Sequence, residues 1–205
     1  MSIIRNAVAG IASASANTCL RIDGMSPSVR IVTNPVSTIL VVAAPVSATR
    51  EVLAALGAAR DEAFTYGLVG RKAGSFGLVD LAARIGSTER PPARRLRRHL
   101  ATPPIPGAET FFVVAGRTAG VLTPDLARGL EAELARQTGA ANRYSVVGTY
   151  AVPTLTATSR LVVDHWIGPL RTMLADAGIP ILVETVGCFA RARCEPMPSA
   201  PAARW

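Results

Sequence analysis

The sequence predicts an α+β fold: a small central, mostly antiparallel sheet flanked by helices, with a C-terminal helical extension. Three observations predict it. Apolar runs of strand length recur at Thr38–Ala44, Ala63–Gly70, Leu78–Gly86 and Phe111–Ala115. The second and third runs are joined by the glycine-studded segment RKAGSFG, and two strands joined by so short a turn are most simply antiparallel. Leu126, Leu130 and Leu134 repeat every four residues, the spacing of one helix face.

In chain order, residues 1–37 are rich in Ser, Ala and Asn and have little periodicity, apart from a short strand at Val29–Val32. Pro45 ends the Thr38–Ala44 strand. Ala48–Arg60 then places Val52, Leu53 and Leu56 at helical spacing, with Gly57 near the C-terminal end. After the Ala63–Gly86 hairpin, Pro91-Pro92 opens a basic helix, PARRLRRHL, which the prolines of Thr102–Gly107 stop. Phe111–Ala115 is the clearest strand. Thr123 is placed to cap the next helix, with Pro124 at its first position, Asp125 beside the positive end of its dipole and Gly139 as its stop. A third helix is expected over Thr158–Ala177, burying Leu161, Trp166, Leu170 and Leu174 and kinked or divided at Pro169, with a last short strand at Ile181–Val183. The organisation that follows is an N-terminal extension (1–50), a central domain (51–150), a C-terminal helical extension (151–187) and a flexible tail (188–205).

The 205 residues are 49% hydrophobic, which excludes a disordered or fibrous chain, and only 5% aromatic, so aliphatic side chains must build the core. Lys and Arg outnumber Asp and Glu 22 to 14, a net charge of +8 that favours a polyanionic partner. Lys72 is the one lysine. Cys19, Cys188 and Cys194 show no CxxC spacing and, with two histidines in the chain, no zinc pattern, so they read as reduced thiols. No run is apolar for long enough to span a bilayer. The N-terminal MSIIRNAVAGIASASA loosely mimics a signal peptide, but its apolar centre is short and made mostly of alanine, and a cytoplasmic location is expected. The glycines 67, 70, 74 and 77 match neither the P-loop nor the dinucleotide fingerprint, and they lead into a strand instead of a helix. There is no G-x-S-x-G elbow either.

Residues 64–138 carry a set of motifs in a particular order. Phe64-Thr65-Tyr66 lies in the first strand of the hairpin and Arg84-Ile85-Gly86 in the second. Arg95-Leu96-Arg97-Arg98-His99 follows in the basic helix. Leu122-Thr123 introduces the helix that holds Leu130-Glu131-Ala132-Glu133-Leu134. In order and spacing this series resembles the GIY-YIG nuclease superfamily, in particular its bacterial members with an added C-terminal helical hairpin. The resemblance implies a nucleic-acid-binding domain, with DNA as partner, that cuts a phosphodiester with Mg²⁺ or Mn²⁺. Within it Tyr66 would assist the attacking water, Arg95 would neutralise the phosphate and Glu131 would hold the metal. Such a division is chemically sensible: a hard cation takes carboxylate oxygen, and developing phosphorane charge takes a fixed guanidinium. Arg84, Arg94, Arg97, Arg98 and His99 would contact the nucleic acid. Between residues 84 and 98 six arginines face one acid, Glu89, a local net charge of +5.

The departures from the family pattern bear on activity. Arg84 stands where the second motif has tyrosine, and Phe64-Thr65 where the first has Gly-Ile. In Val146-Val147-Gly148-Thr149, Val147 stands where an asparagine is expected, and Asn142 lies five residues earlier. Valine cannot hydrogen-bond a phosphate. A catalytically inactive relative acting as a DNA-binding or protein-assembly module is the alternative. Each residue also has a plainer role open to it: Tyr66 as a strand tyrosine with its hydroxyl at the surface, Arg95 and Glu131 as solvated helix residues, His99 as a helix C-terminal cap, and His165 as structural.

Overall fold

A computed structural model describes residues 17–20, 28–56, 63–74, 79–88, 98–99 and 101–182. They form one seven-stranded sheet with helices. The strands are β1 (Thr18–Leu20), β2 (Arg30–Thr33), β3 (Ile39–Pro45), β4 (Phe64–Ala73), β5 (Val79–Thr88), β6 (Gly107–Gly116) and β7 (Ser145–Val146). The helices are α1 (Thr49–Ala55), α2 (Pro124–Ala140) and α3 (Ala157–Asp176), and Val46–Ala48 makes a 3-10 turn before α1. The strand order is β1-β2-β3-β6-β4-β5-β7. Every pairing is antiparallel except that of β7 with β5. The α+β class expected from the sequence is therefore the one observed, with a sheet wider than the four long apolar runs implied.

The long strands outrun their apolar centres because backbone pairing continues into polar sequence. In the β4–β5 hairpin the register runs from Phe64↔Thr88 to Ala73↔Val79 and sets Lys72 opposite Asp80. The β4–β6 ladder shifts register between Val69 and Gly70, which face Thr110 and Ala108, so Glu109 is the extra residue of a bulge. Gly70 is required there: a Cβ would lie 2.0 Å from the carbonyl oxygen of Gly107.

One hydrophobic core crosses the whole described chain, from Val29 through Val42, Phe112 and Leu130 to Leu182. β3 pairs with β6 along seven residues, from Ile39↔Gly116 to Pro45↔Thr110, so residues before 50 belong to the same sheet as the hairpin. α3 packs on α2, β2 and β3. Its Trp166 is 3% exposed and donates its indole N–H to Thr38 Oγ1 at 3.2 Å.

Several expectations are corrected. α3 is one continuous helix through Pro169, not two. Leu161 is 69% exposed, and the buried face is Val163, Trp166, Ile167, Leu170, Met173 and Leu174. His165 is exposed. α2 passes Gly139 and ends where Asn142 takes φ 55°, the left-handed conformation that asparagine tolerates. Ile181 and Leu182 form a turn, not a strand, with both side chains buried, while Val183 lies outside the described residues. The 188–205 tail and Cys188 and Cys194 also lie outside them, and Cys19 is an exposed free thiol. Among the described residues no helix is long and apolar enough to cross a membrane.

Thr123 caps α2 as its sequence indicated, accepting a hydrogen bond from Leu126 N at 3.3 Å, with Pro124 in the first turn. Farther along, the Glu133 carboxylate takes two hydrogen bonds from the Arg136 guanidinium and one from Gln137 Nε2. The Arg136 bonds hold the Glu133 carboxyl below its ordinary value. A lowered carboxyl pKa stabilises the fold above the unfolded-state pKa, and that stability is lost as pH falls through the folded-state pKa. Glu133→Gln should therefore cost up to about 1 kcal/mol at pH 7, since the arginine is largely exposed. The cost should shrink in urea titrations as the pH is lowered through the folded-state pKa.

Candidate nucleic-acid site at the end of the β4–β5 hairpin

Strand pleating divides the end of the hairpin into two faces. Thr65 and Ser87 are paired residues and both point to α2: Thr65 Oγ1 donates to Ala127 O at 3.0 Å, and Ser87 Oγ donates to Glu131 Oε2 at 2.6 Å. The next pair, Tyr66 and Gly86, therefore lies on the opposite face.

On that opposite face Tyr66 is fully buried, which corrects the plainer reading of a surface hydroxyl. Its ring lies against Phe111, with centroids 6.5 Å apart, and against His99, with centroids 5.8 Å apart. The Tyr66 hydroxyl and His99 Nδ1 are hydrogen-bonded at 3.0 Å. With Nδ1 unprotonated the phenol donates, and with an imidazolium the ring N–H donates to the phenolic oxygen. Gly86 is what admits the phenol: a Cβ on it would sit 2.7 Å from the Tyr66 hydroxyl oxygen and 2.8 Å from Cζ.

His99 is held by the end of a helical turn. Arg98, His99 and Ala101 are helical, and Thr102 N donates to Arg98 O at 2.9 Å. Arg98 is exposed. Arg94, Arg95 and Arg97, and with them most of the basic helix, lie outside the described residues.

Glu131 is half-buried at the rim of the buried stripe formed by Ala127, Leu130 and Leu134, the position its helical spacing indicated. Glu133 is taken up by Arg136 and Gln137 on the same helix. Arg84 donates from Nη1 to Val147 O at 2.9 Å, while Val147 N donates to Ala83 O, continuing the β5–β7 ladder. Gly148, at φ 88°, leaves room for this arginine, since a Cβ there would fall on Nη1. The residue in place of the second-motif tyrosine thus ties β5 to the segment after β7. Asn142 is exposed at the end of α2.

Sequence reasoning missed Ser87 and Thr88. Ser87 is 5% exposed and holds Glu131; Thr88 is 4% exposed, and its Oγ1 has no hydrogen-bond partner among the described residues. The available signal was two small hydroxyl residues directly after the Arg84-Ile85-Gly86 triplet, in a strand otherwise apolar at its centre. Thr88 shares the face of Tyr66 by alternation, as the partner of Phe64. Elsewhere, a cavity of about 370 Å³ bounded by Cys19, Arg30, Glu109 and Gly178 includes none of these residues.

No family model, curated protein or solved structure matches the chain.

Proposed function

We propose that this chain is a GIY-YIG-like nucleic-acid-binding domain, and that the end of the β4–β5 hairpin hydrolyses a phosphodiester bond. One observation carries the reading. The tyrosine of the first motif lies against both the glycine of the second and the histidine of the helix motif, while the helix glutamate binds the very next residue of β5. Four separated motif pieces thus adjoin Gly86 and Ser87, near the point where the strand ends. At that end Glu131 is half-buried and Tyr66 fully buried.

In this reading His99 accepts the Tyr66 proton and the phenolic oxygen takes one from the attacking water, whose oxygen bonds to phosphorus as the P–O bond to the leaving strand breaks and that oxygen takes a proton from solvent. The arginines between residues 84 and 98 supply positive charge to the backbone, with Arg95 in the role of phosphate clamp. Arg84 spends one N–H of its guanidinium on Val147 O, and its other donors remain for the backbone in this reading. Among the described residues no three His, Cys, Asp or Glu side chains cluster as a metal cage. A magnesium ion needs no such cage: one carboxylate suffices where waters and phosphate oxygens complete the shell. Glu131 is the residue that would hold Mg²⁺ or Mn²⁺, and the ion would supply charge neutralisation at the phosphate.

A second reading is favoured by two observations. Val147 offers no polar side chain where the family has asparagine, and Tyr66 and Glu131 make their contacts on opposite faces of the sheet. A binding module that does not cut would keep the phosphate contacts alone. Nicking of supercoiled plasmid in Mg²⁺ or Mn²⁺ separates the two. Hydrolysis predicts that the chain nicks and that Tyr66→Phe and Glu131→Ala each lower the rate at least a hundredfold, in line with general-base and electrostatic contributions. Activity that survives Glu131→Ala would remove the carboxylate from the site. Binding without nicking would leave the non-cutting module.

A further inference from the structure

We infer that Ser87 is a positioning residue for Glu131, an assignment that rests on the reading of Glu131 as a metal-holding carboxylate. Glu131 sits on a long, rotatable side chain at the edge of α2, and a carboxylate that must meet a cation benefits from being held in one orientation before it does so. Ser87 provides the hold. Its hydroxyl donates to Oε2 at 2.6 Å, the short distance of a charge-assisted O–H···O⁻ bond. This fixes the rotation of the carboxylate about its last bond and leaves Oε1 as the oxygen that Ser87 does not engage.

The hydroxyl is itself fixed. Ser87 is 5% exposed, lies in the β4–β5 ladder opposite Thr65, and Thr65 is bonded to the α2 backbone at Ala127, one turn before Glu131. Strand and helix are thus pinned to each other at two successive turns of α2, and the second pin ends on the carboxylate. A purely mechanical tie needs only the first. Ser87 does not touch the cation or the phosphate in this assignment. Outer hydrogen-bond partners of metal-binding carboxylates are typically worth tenfold to a hundredfold in metal affinity.

The test uses Mn²⁺ as probe and the full chain, with bound Mn²⁺ read from the loss of the free-ion electron paramagnetic resonance signal, so that no turnover is involved. Glu131→Gln should abolish binding. Ser87→Ala should weaken it about tenfold, and Ser87→Thr, which keeps the hydroxyl, should restore it to within about twofold. Thermal melts of the same variants show whether each is folded, and the Thr variant carries the test where the Ala variant is not. Mn²⁺ affinity unchanged in Ser87→Ala, or equally lost in a folded Ser87→Thr, would overturn the assignment while leaving Glu131 as the ligand. A wild-type chain that binds no Mn²⁺ would overturn the reading of Glu131 and the assignment with it.

Discussion

Gly86→Ala is expected to destabilise the protein by about 2 kcal/mol and to separate Tyr66 from His99. The new methyl would lie 2.7 Å from the phenolic oxygen and 2.8 Å from Cζ, closer than real contacts allow. The usual escape, rotation of the neighbouring side chain, is closed. Tyr66 is fully buried, with Phe111 and His99 against its ring. Either β5 moves away from β4, straining the ladder around Tyr66↔Gly86, or the phenol leaves its partner. For a chain of this length the loss corresponds to a fall in melting temperature of roughly 4–8 °C. Tyr66→Phe removes one of the two offending contacts, so Gly86→Ala and Tyr66→Phe should be non-additive by about 1 kcal/mol in a double-mutant cycle measured in urea. Strict additivity would show that the glycine is not there for the phenol.

Trp166→Ala should have the larger effect on stability, about 4 kcal/mol. Trp166 combines a large buried ring with an indole N–H bonded to Thr38, the residue just before the strand that couples β2 to the rest of the sheet. Set against a total stability of 5–15 kcal/mol, such a loss endangers the fold at 37 °C. Trp166→Phe should recover most of it and leave about 1 kcal/mol, the deficit of the lost hydrogen bond. Equilibrium unfolding of the three proteins checks both figures. A single transition in each would follow from the shared core, whereas a separate early transition in Trp166→Ala would mark α3 as an independent unit. A chain truncated after residue 150 should not fold, because it loses the helix that covers β2 and β3.

These residues show what was legible in the sequence. The β4–β5 hairpin was readable because its turn is rich in glycine and its strands are apolar at their centres, and α2 because Thr123, Pro124 and Asp125 announce its start. β1 and β7 were not readable. At three residues and two they are too short for any periodicity, and they exist only because a neighbouring strand offers an open edge. The end of α2 was misplaced because both Gly139 and Asn142 can take a left-handed turn, and Asn142 is the one that does. Leu161 fits a helical stripe by spacing, but the direction from which the core is met belongs to the packing of α3 on α2 and β3. The candidate site divides in the same way. Tyr66, His99 and Glu131 could be named from residue type and order, whereas the bond from Arg84 to Val147 O depends on the parallel β5–β7 pairing, which no local pattern encodes. Ser87 could be named only once α2 was seen to cross that particular strand.

The proposed function has nucleic acid bound through its phosphates at the hairpin end and the basic segment that follows it. The most direct test is the anisotropy of a labelled DNA duplex titrated with the protein between about 50 and 200 mM salt, compared with a variant in which Arg94, Arg95, Arg97 and Arg98 are replaced by glutamine. Affinity should fall steeply with salt, and the variant should bind more weakly, with a slope reduced by up to about one for each arginine that contacts a phosphate. A wild-type chain that leaves the duplex unbound at low salt, or binds it with an affinity indifferent to salt and to the four arginines, would contradict it.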